Sequence, residues 1–334
     1  MPGLVVLINS LPISTAIEAE VSLNRYFAAG RFRLRAALDA SGAALWSNGD
    51  LQVEIQMGLD GAWTSMMVGQ ADRVEIDPIR GEVLVDGRDL SARLQAARTQ
   101  ETFENRTASE IATVLAARHG LAASVTATTA RVGRNYQNGY ARTTLNQYSP
   151  VTTEWDLLTR LAEAEGFDVW VDGQTLNFAP DCGAVAAIQL TPQDCIGLRL
   201  ERTTSLEGAL QVLVKSWDCR GVTTINQSAT RQAAGSDTTD AAMASYIIVR
   251  PNLAADAAQS LAERVLNQMT QHARSISIEM PGELLIAPRA AITLAQTGTS
   301  FDGTYEVSSI ERRISFRHGF SQSVQARSIG WTAS

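Results

Sequence analysis

The chain has 334 residues, 45% hydrophobic and 19% charged, with a formal net charge of −7. That length provides for two or three domains, and the composition is that of a globular protein with material for more than one core. The acidic balance argues against a nucleic-acid-binding face, which needs clustered basic residues, and no apolar run approaches the ~18 residues of a membrane span.

Lys215 is the only lysine, so nearly all positive charge is arginine. A GC-rich genome accounts for this simply; the planar guanidinium fork also suits interfaces. Cys182, Cys195 and Cys219 show no metal-like spacing, which fits a reducing cytoplasm. The N-terminus lacks a basic segment, and Leu4–Ile8 is too short for a signal core, so a soluble protein without a cleaved signal is expected.

Residues 1–98 read as β. Leu4–Ile8 is a first strand. Phe32, Leu34 and Ala36 alternate with Arg31, Arg33 and Arg35, as in a half-buried strand with an arginine-lined outer face. A turn follows at Asp39–Gly42, then Leu51, Val53, Ile55 and Met57 alternate again. Asp60–Gly61 turns the chain into Trp63, and Val74 and Ile76 lead through Asp77–Pro78 into Val83 and Val85. Short alternating strands at this spacing predict a barrel or sandwich.

Residues 99–180 hold two copies of one small design, a capped helix followed by a strand. Thr107 with Glu110, and Thr153 with Asp156, each fit a capping box. Gly120 and Gly166 follow their caps by 13 residues and stop the helices. Ile111, Leu115 and Ala116 sit at the same offsets as Leu157, Leu161 and Ala162. Leu121–Val125 and Phe167–Val171 are the strands, and Asp172–Gly173 signals a hairpin into Leu176–Phe178. Between the copies, Arg131–Tyr148 is a polar loop or an exposed hairpin. Its Tyr136, Tyr140 and Tyr148 either contact a partner or pack locally.

Residues 181–334 are β again, with one longer helix. Leu198 and Leu200, then Leu210–Val214, are strand-like, and residues 226–244 read as a mobile polar loop. The helix, about 253–272, lines Ala254, Ala258, Leu261, Val265 and Met269 along one face, which should dock on this chain's own sheet. Ile276–Met280, Ile292–Leu294, Tyr305–Phe316 and Val324–Ala326 complete an antiparallel unit, with turns at Pro281–Gly282, Asp302–Gly303 and His318–Gly319. The fold class expected is therefore α+β, mainly β. It comprises two β-barrel-like domains (1–98 and 181–334) with a small α+β insert (99–180), and one longer helix before the C-terminal strands.

No catalytic constellation is present in the sequence, so no enzyme, cofactor or metal site is expected. His119, His272 and His318 lie far apart, and the first two sit near helix C-termini, where an imidazole suits the dipole. Gly319–Ser323 comes nearest to a nucleophile elbow and lacks its final glycine. Glu163 and Glu165 are two apart on a helix and diverge. The sequons at Asn105 and Asn226 have no export signal to give them meaning.

Three runs carry a family resemblance. The first is Val85–Leu94, containing Gly87, Arg88, Asp89 and Leu90 and leading to the helix after Thr107. The second is Thr153–Phe167, containing Trp155, Leu158, Leu161 and Gly166. The third is Phe301–Val307, containing Asp302, Gly303 and Tyr305. In order and spacing they resemble the late control protein D family of contractile-tailed phages, and the hub module of type VI secretion spike proteins. The resemblance spans about residues 70–330. It implies a homotrimeric baseplate hub, in which two β-barrels per chain form a pseudo-six-fold ring joining the tail tube or distal tail protein to a central spike or tip protein. It further implies that the insert meets other baseplate proteins, that DNA only transits the lumen, and that the protein sits in the virion after assembly in the host cytoplasm. With the sequence ending at Ser334, the tip is expected on a separate polypeptide. A phage, a prophage-derived particle and a gene transfer agent all fit as its source. The net negative charge would suit a lumen that repels DNA.

Two other classes compete. A tail-associated cell-wall hydrolase would need convergent carboxylates or a metal site. A carbohydrate-binding module would need clustered exposed aromatics; aromatics are 6% of the chain and dispersed, and core packing is the expected role of both Trp46 and Trp63.

Overall fold

The computed structural model describes residues 3–25, 27–38, 43–47, 49–59, 61–99, 103, 105–132, 153–180, 187–204, 209–218, 223–231, 244–251 and 253–329. Its first part contains β1 (Gly3–Ile8), β2 (Leu11–Ile13), β3 (Ala16–Asn24), β4 (Arg31–Ala37), the one-turn α1 (Ala43–Trp46), β5 (Gln52–Leu59), β6 (Ala62–Asp77) and β7 (Glu82–Asp89). The middle contains α2 (Ser91–Ala96), β8 (Arg106–Thr107), α3 (Ala108–Arg118), β9 (Ala122–Val125), β10 (Arg131–Val132), α4 (Glu154–Glu165), β11 (Phe167–Asp172) and β12 (Thr175–Pro180). The last part contains β13 (Ala187–Leu190), β14 (Gly197–Arg202), β15 (Leu210–Asp218), β16 (Thr223–Arg231), β17 (Ala244–Val249), α5 (Ala255–Thr270), β18 (Arg274–Pro281), β19 (Ala291–Leu294), β20 (Gly303–Ser315) and β21 (Gly319–Ser328). The protein is mainly β in an α+β arrangement, as its periodicity indicates.

One 13-stranded sheet runs through both ends of the chain in the order β14-β18-β21-β20-β3-β4-β7-β6-β5-β1-β2, with β19 on β20 and β13 on β19. The link is β20 against β3, antiparallel from Ser309↔Asn24 to Ser315↔Glu18. β6 makes a corner. Its first half pairs with β5, its second half with β7, and the register shifts between Ala71 and Arg73.

Alternation decides which face is buried. Phe32, Leu34 and Ala36 on β4 are buried with Val53, Ile55 and Met57 on β5 and Val83 and Val85 on β7. This packing needs a glycine. A Cβ on Gly87 would lie 2.3 Å from the Gln70 carbonyl oxygen and 2.4 Å from the Phe32 ring, so Gly87 lets Phe32 lie across the strands. A second β core gathers Ile276, Ile278, Ile292, Val307, Ile310 and Val324.

The repeated helix–strand design holds in detail. Thr107 Oγ1 accepts the Glu110 N–H at 3.3 Å, and Glu110 Oε2 accepts the Thr107 N–H at 2.9 Å. Thr153 Oγ1 and Asp156 Oδ2 exchange the same two bonds, both at 3.1 Å. Gly166 ends α4 at φ 72°, the left-handed position that glycine adopts without strain. The six matching positions are all buried in one core with Val169, Leu176 and Phe178 of the sheet β11-β12-β9. α5 docks on a separate sheet, β16-β15-β17, through Ala258, Leu261, Ala262 and Leu266 against Leu210, Val212 and Val214. The helix meets its own chain, as expected.

Three expectations change. Residues 226–231 are not loop: they extend β16 opposite β15, because Ile225 and Ala229 reach the α5 core while Asn226 and Ser228 point away. Trp46 is buried, but Trp63 is 53% exposed; its ring lies over Gly3 and Gly58 on the neighbouring strands instead of entering the core. Phe316, grouped with the apolar face of its strand, stands at the hairpin tip beyond Ser315 and is 81% exposed.

Candidate interface sites

The three parts of the chain meet at a buried charged junction. Arg25, at the end of β3, is 5% exposed and forms an ion pair with Glu306 of β20. Its Nε lies 3.8 Å from Asp168 Oδ2 on β11. Arg289, beyond β18, donates from Nε to the same Asp168 oxygen at 2.7 Å, and its guanidinium lies 4.2 Å from the centre of the Trp170 ring. Buried charges are tolerated only when paired in this way. So one carboxylate on the helix–strand insert is held by arginines from both β parts.

Beside this group, Arg312 of β20 is 3% exposed. It donates to the carbonyls of Glu283 (3.2 Å) and Ile286, to Gln322 Oε1 (3.3 Å) and towards Met66 Sδ. Burial lowers its pKa to about 10, so the group stays cationic at neutral pH. Arg312 thereby fixes residues 282–289. Within that segment Leu284 packs on the N-terminal core and Ile286 enters the C-terminal one. A cavity of about 250 Å³ lies between, lined among others by Asp89, Trp155, Trp170, Arg289 and Arg312.

The resemblance-bearing residues divide into two places. Asp89, Leu90, Trp155, Leu158 and Leu161 surround the junction between β7 and the insert. Asp89 Oδ2 accepts the Gly30 N–H at 2.6 Å, and Oδ1 accepts the Ser91 N–H at 2.9 Å and its hydroxyl, which starts α2. Burial raises the Asp89 pKa against those bonds. Leu90, Trp155, Leu158 and Leu161 share the insert core, and Trp155 Nε1 donates to the Phe27 carbonyl at 2.9 Å. Arg88 grips Asp72 with two bonds, at 2.7 and 2.9 Å. Asp302, Gly303 and Tyr305 lie elsewhere, at the start of β20. Asp302 Oδ1 closes a turn on Thr297 (3.0 Å to its N–H), and the Tyr305 hydroxyl donates to the Phe301 carbonyl at 2.8 Å. Tyr136, Tyr140 and Tyr148 lie outside the described residues.

The buried charges Arg25, Glu154, Asp168, Glu306 and Arg312 were not singled out from sequence. Arg312 carried a usable signal: strand alternation puts it on the same face as the buried Ile310 and Ile314. Glu154 is held by Arg118 and His119, so the end of α3 is tied to the start of α4 and His119 does more than complement a helix dipole.

Two surfaces stand out. The face of β16-β15-β17 turned from α5 exposes Trp217, Ile247 and Val249, and among the described residues β17 pairs only with β15. The outer face of the large sheet is instead a ladder of ion pairs: Arg33–Asp86 at 2.8 Å, Arg35–Glu18 at 3.1 Å and Arg313–Glu18 at 2.5 Å.

No curated protein matches the chain. Among solved structures, a tail protein from Neisseria meningitidis matches with a TM-score of 0.70 at 16% identity, covering 98% of this chain and 96% of that one. The 43 kDa tail protein of prophage MuSo2 from Shewanella oneidensis matches with a TM-score of 0.68 at 13% identity, covering 98% and 96%. An E. coli component of the type VI secretion system, itself similar to T4 tail proteins, matches at 0.61 and 13%, covering 98% and 77%. The chain therefore has the fold of phage tail proteins, and the expected resemblance holds at that level. A family model matches residues 34–315, and the chain belongs to the family it describes, the Alg8 N-terminal domain.

Proposed function

We propose that this protein is a structural hub of a phage or phage-like tail. Three copies form a pseudo-six-fold ring that joins the tail tube to a central spike and lets DNA pass. The observation that carries the reading is the extent of the likeness: phage tail proteins share the fold over 98% of this chain and nearly all of their own length. The role is non-enzymatic, resting on shape and contacts, with residues 99–180 turned towards other baseplate proteins. The protein belongs in the virion tail.

A ring needs side-to-side contacts. The apolar face bearing Trp217 and Ile247, with the edge of β17 that pairs with no strand among the described residues, supplies one, because a strand edge offers backbone groups to a neighbour. The ion-pair ladder on the large sheet suits a water-filled lumen, since its arginines are already paired with carboxylates and hold little for DNA phosphates.

Light scattering over a range of concentrations tests the reading. A trimer, or a monomer–trimer equilibrium, is expected, with Ile247→Asp shifting it at least about tenfold towards monomer. A strict monomer that is also absent from purified tails would end it.

A further inference from the structure

Two hairpin tips present the same kind of pair, an exposed apolar residue followed by an arginine. The turn from β6 to β7 holds Ile79, 96% exposed, followed by Arg80; the turn from β20 to β21 holds Phe316, 81% exposed, followed by Arg317. Each tip is fixed from within. Asp77 Oδ1 accepts the N–H groups of Ile79 at 3.0 Å and Arg80 at 2.9 Å, and Ser315 Oγ accepts the His318 N–H at 3.0 Å. A single exposed apolar residue is ordinary on any surface, so exposure alone carries nothing.

The repetition carries the argument. Along the sheet the order is β6-β7-β4-β3-β20-β21, every neighbour antiparallel. A shift of four strands therefore carries the β6–β7 hairpin onto the β20–β21 hairpin with the same chain direction. The register places both tips at one end: Asp77 is opposite Glu82, Glu82 opposite Ala37, Ala36 opposite Ala16, and Glu18 opposite Ser315. Four strand spacings put them roughly 19 Å apart along the sheet.

We propose that Ile79–Arg80 and Phe316–Arg317 form a repeated docking element that seats an adjoining ring protein of the tail. That partner presents apolar pockets rimmed by carboxylates. Each tip inserts one apolar side chain, and the following arginine meets the acidic rim; Arg80 does so from a long, exposed pair with Asp77 at 3.7 Å that leaves most of its guanidinium open. The inference rests on the hub reading and deepens it: two tips on each of three chains give six like knobs, the number a six-fold ring requires. The turns are preset, so little conformational entropy is lost on docking.

The test is complementation of a producing strain from which this gene is deleted, with tails counted by electron microscopy and probed for the protein. The wild type restores tails that contain it. Ile79→Ser combined with Phe316→Ser, at exposed positions, keeps the thermal midpoint and solution mass but lowers tail yield at least about tenfold. Arg80→Glu with Arg317→Glu does the same through charge alone. Leu11→Ser, 67% exposed and level with the opposite strand ends, leaves the yield unchanged. Wild-type yield from both double variants overturns the docking element while the hub stands. Restored tails that lack the wild-type protein overturn the hub itself.

Discussion

At the residue scale, Arg312 shows what a buried cation does when carbonyls hold it. Removing the side chain leaves the Glu283 and Ile286 carbonyls and the Gln322 amide without their donor. Arg312→Ala should therefore cost about 3 kcal/mol, at the upper end of what lost charged hydrogen bonds cost. Because burial lowers the pKa only to about 10, the group is charged in both folded and unfolded chains at neutral pH, and the cost should not vary between about pH 5 and 9. Urea denaturation across that range measures both points; a midpoint equal to wild type would show that the segment is held by packing alone. Asp302 gives the opposite case, a pH-dependent one. The Thr297 hydroxyl and N–H hold its carboxyl below the ordinary 3.8. The folded value lies under the unfolded one, so its contribution is full above the ordinary value and fades as the pH falls through the folded value. Asp302→Asn should lower the thermal midpoint at pH 7 and flatten its decline below pH 4. Parallel wild-type and variant curves would contradict this.

At the scale of elements, the two capped helices are the most local part of the design, and the most testable. Thr107→Ala and Thr153→Ala should each cost about 1 kcal/mol, since each removes one half of a reciprocal cap. Gly166→Ala should cost about 1–2 kcal/mol, because a side chain is strained at φ 72°. A null effect of all three on denaturation would mean that docking alone sets these helices. Their legibility has the same cause as their testability: cap, buried face and stop lie within 13 residues, so the sequence states them together. Strand alternation was legible for a similar reason in β4, β5 and β18, where each buried apolar side chain is two residues from the next. It misled at Phe316, where alternation continued past the strand end into the turn. It was absent in β16, whose outward face is all Thr, Asn and Ser and reads as loop.

At the scale of the whole molecule, the joins were not legible. Nothing near Ser309 announces Asn24 as its partner, and nothing near Arg289 announces Asp168, 121 residues earlier. Such contacts are chosen by the fold, once separate cores bring their surfaces together. The junction must then decide how firmly the insert follows the two β parts. Asp168 stands between Arg289 and Arg25, while Arg25 also holds Glu306, so a carboxylate from the insert joins a charge set shared with both β parts. Arg289→Ala should weaken that attachment more than it weakens either core, because the Trp170 ring loses its cation and Asp168 its shorter bond. In a double-mutant cycle with Asp168→Asn, a coupling of about 1.5–3 kcal/mol is expected, as for a close pair in one network. Hydrogen exchange should then quicken in β11 and β12 while β4 and β5 keep their protection. Uniform loss of protection would place Asp168 and Arg289 in the global folding unit, and additive single effects would remove the junction as the device that couples insert to sheet.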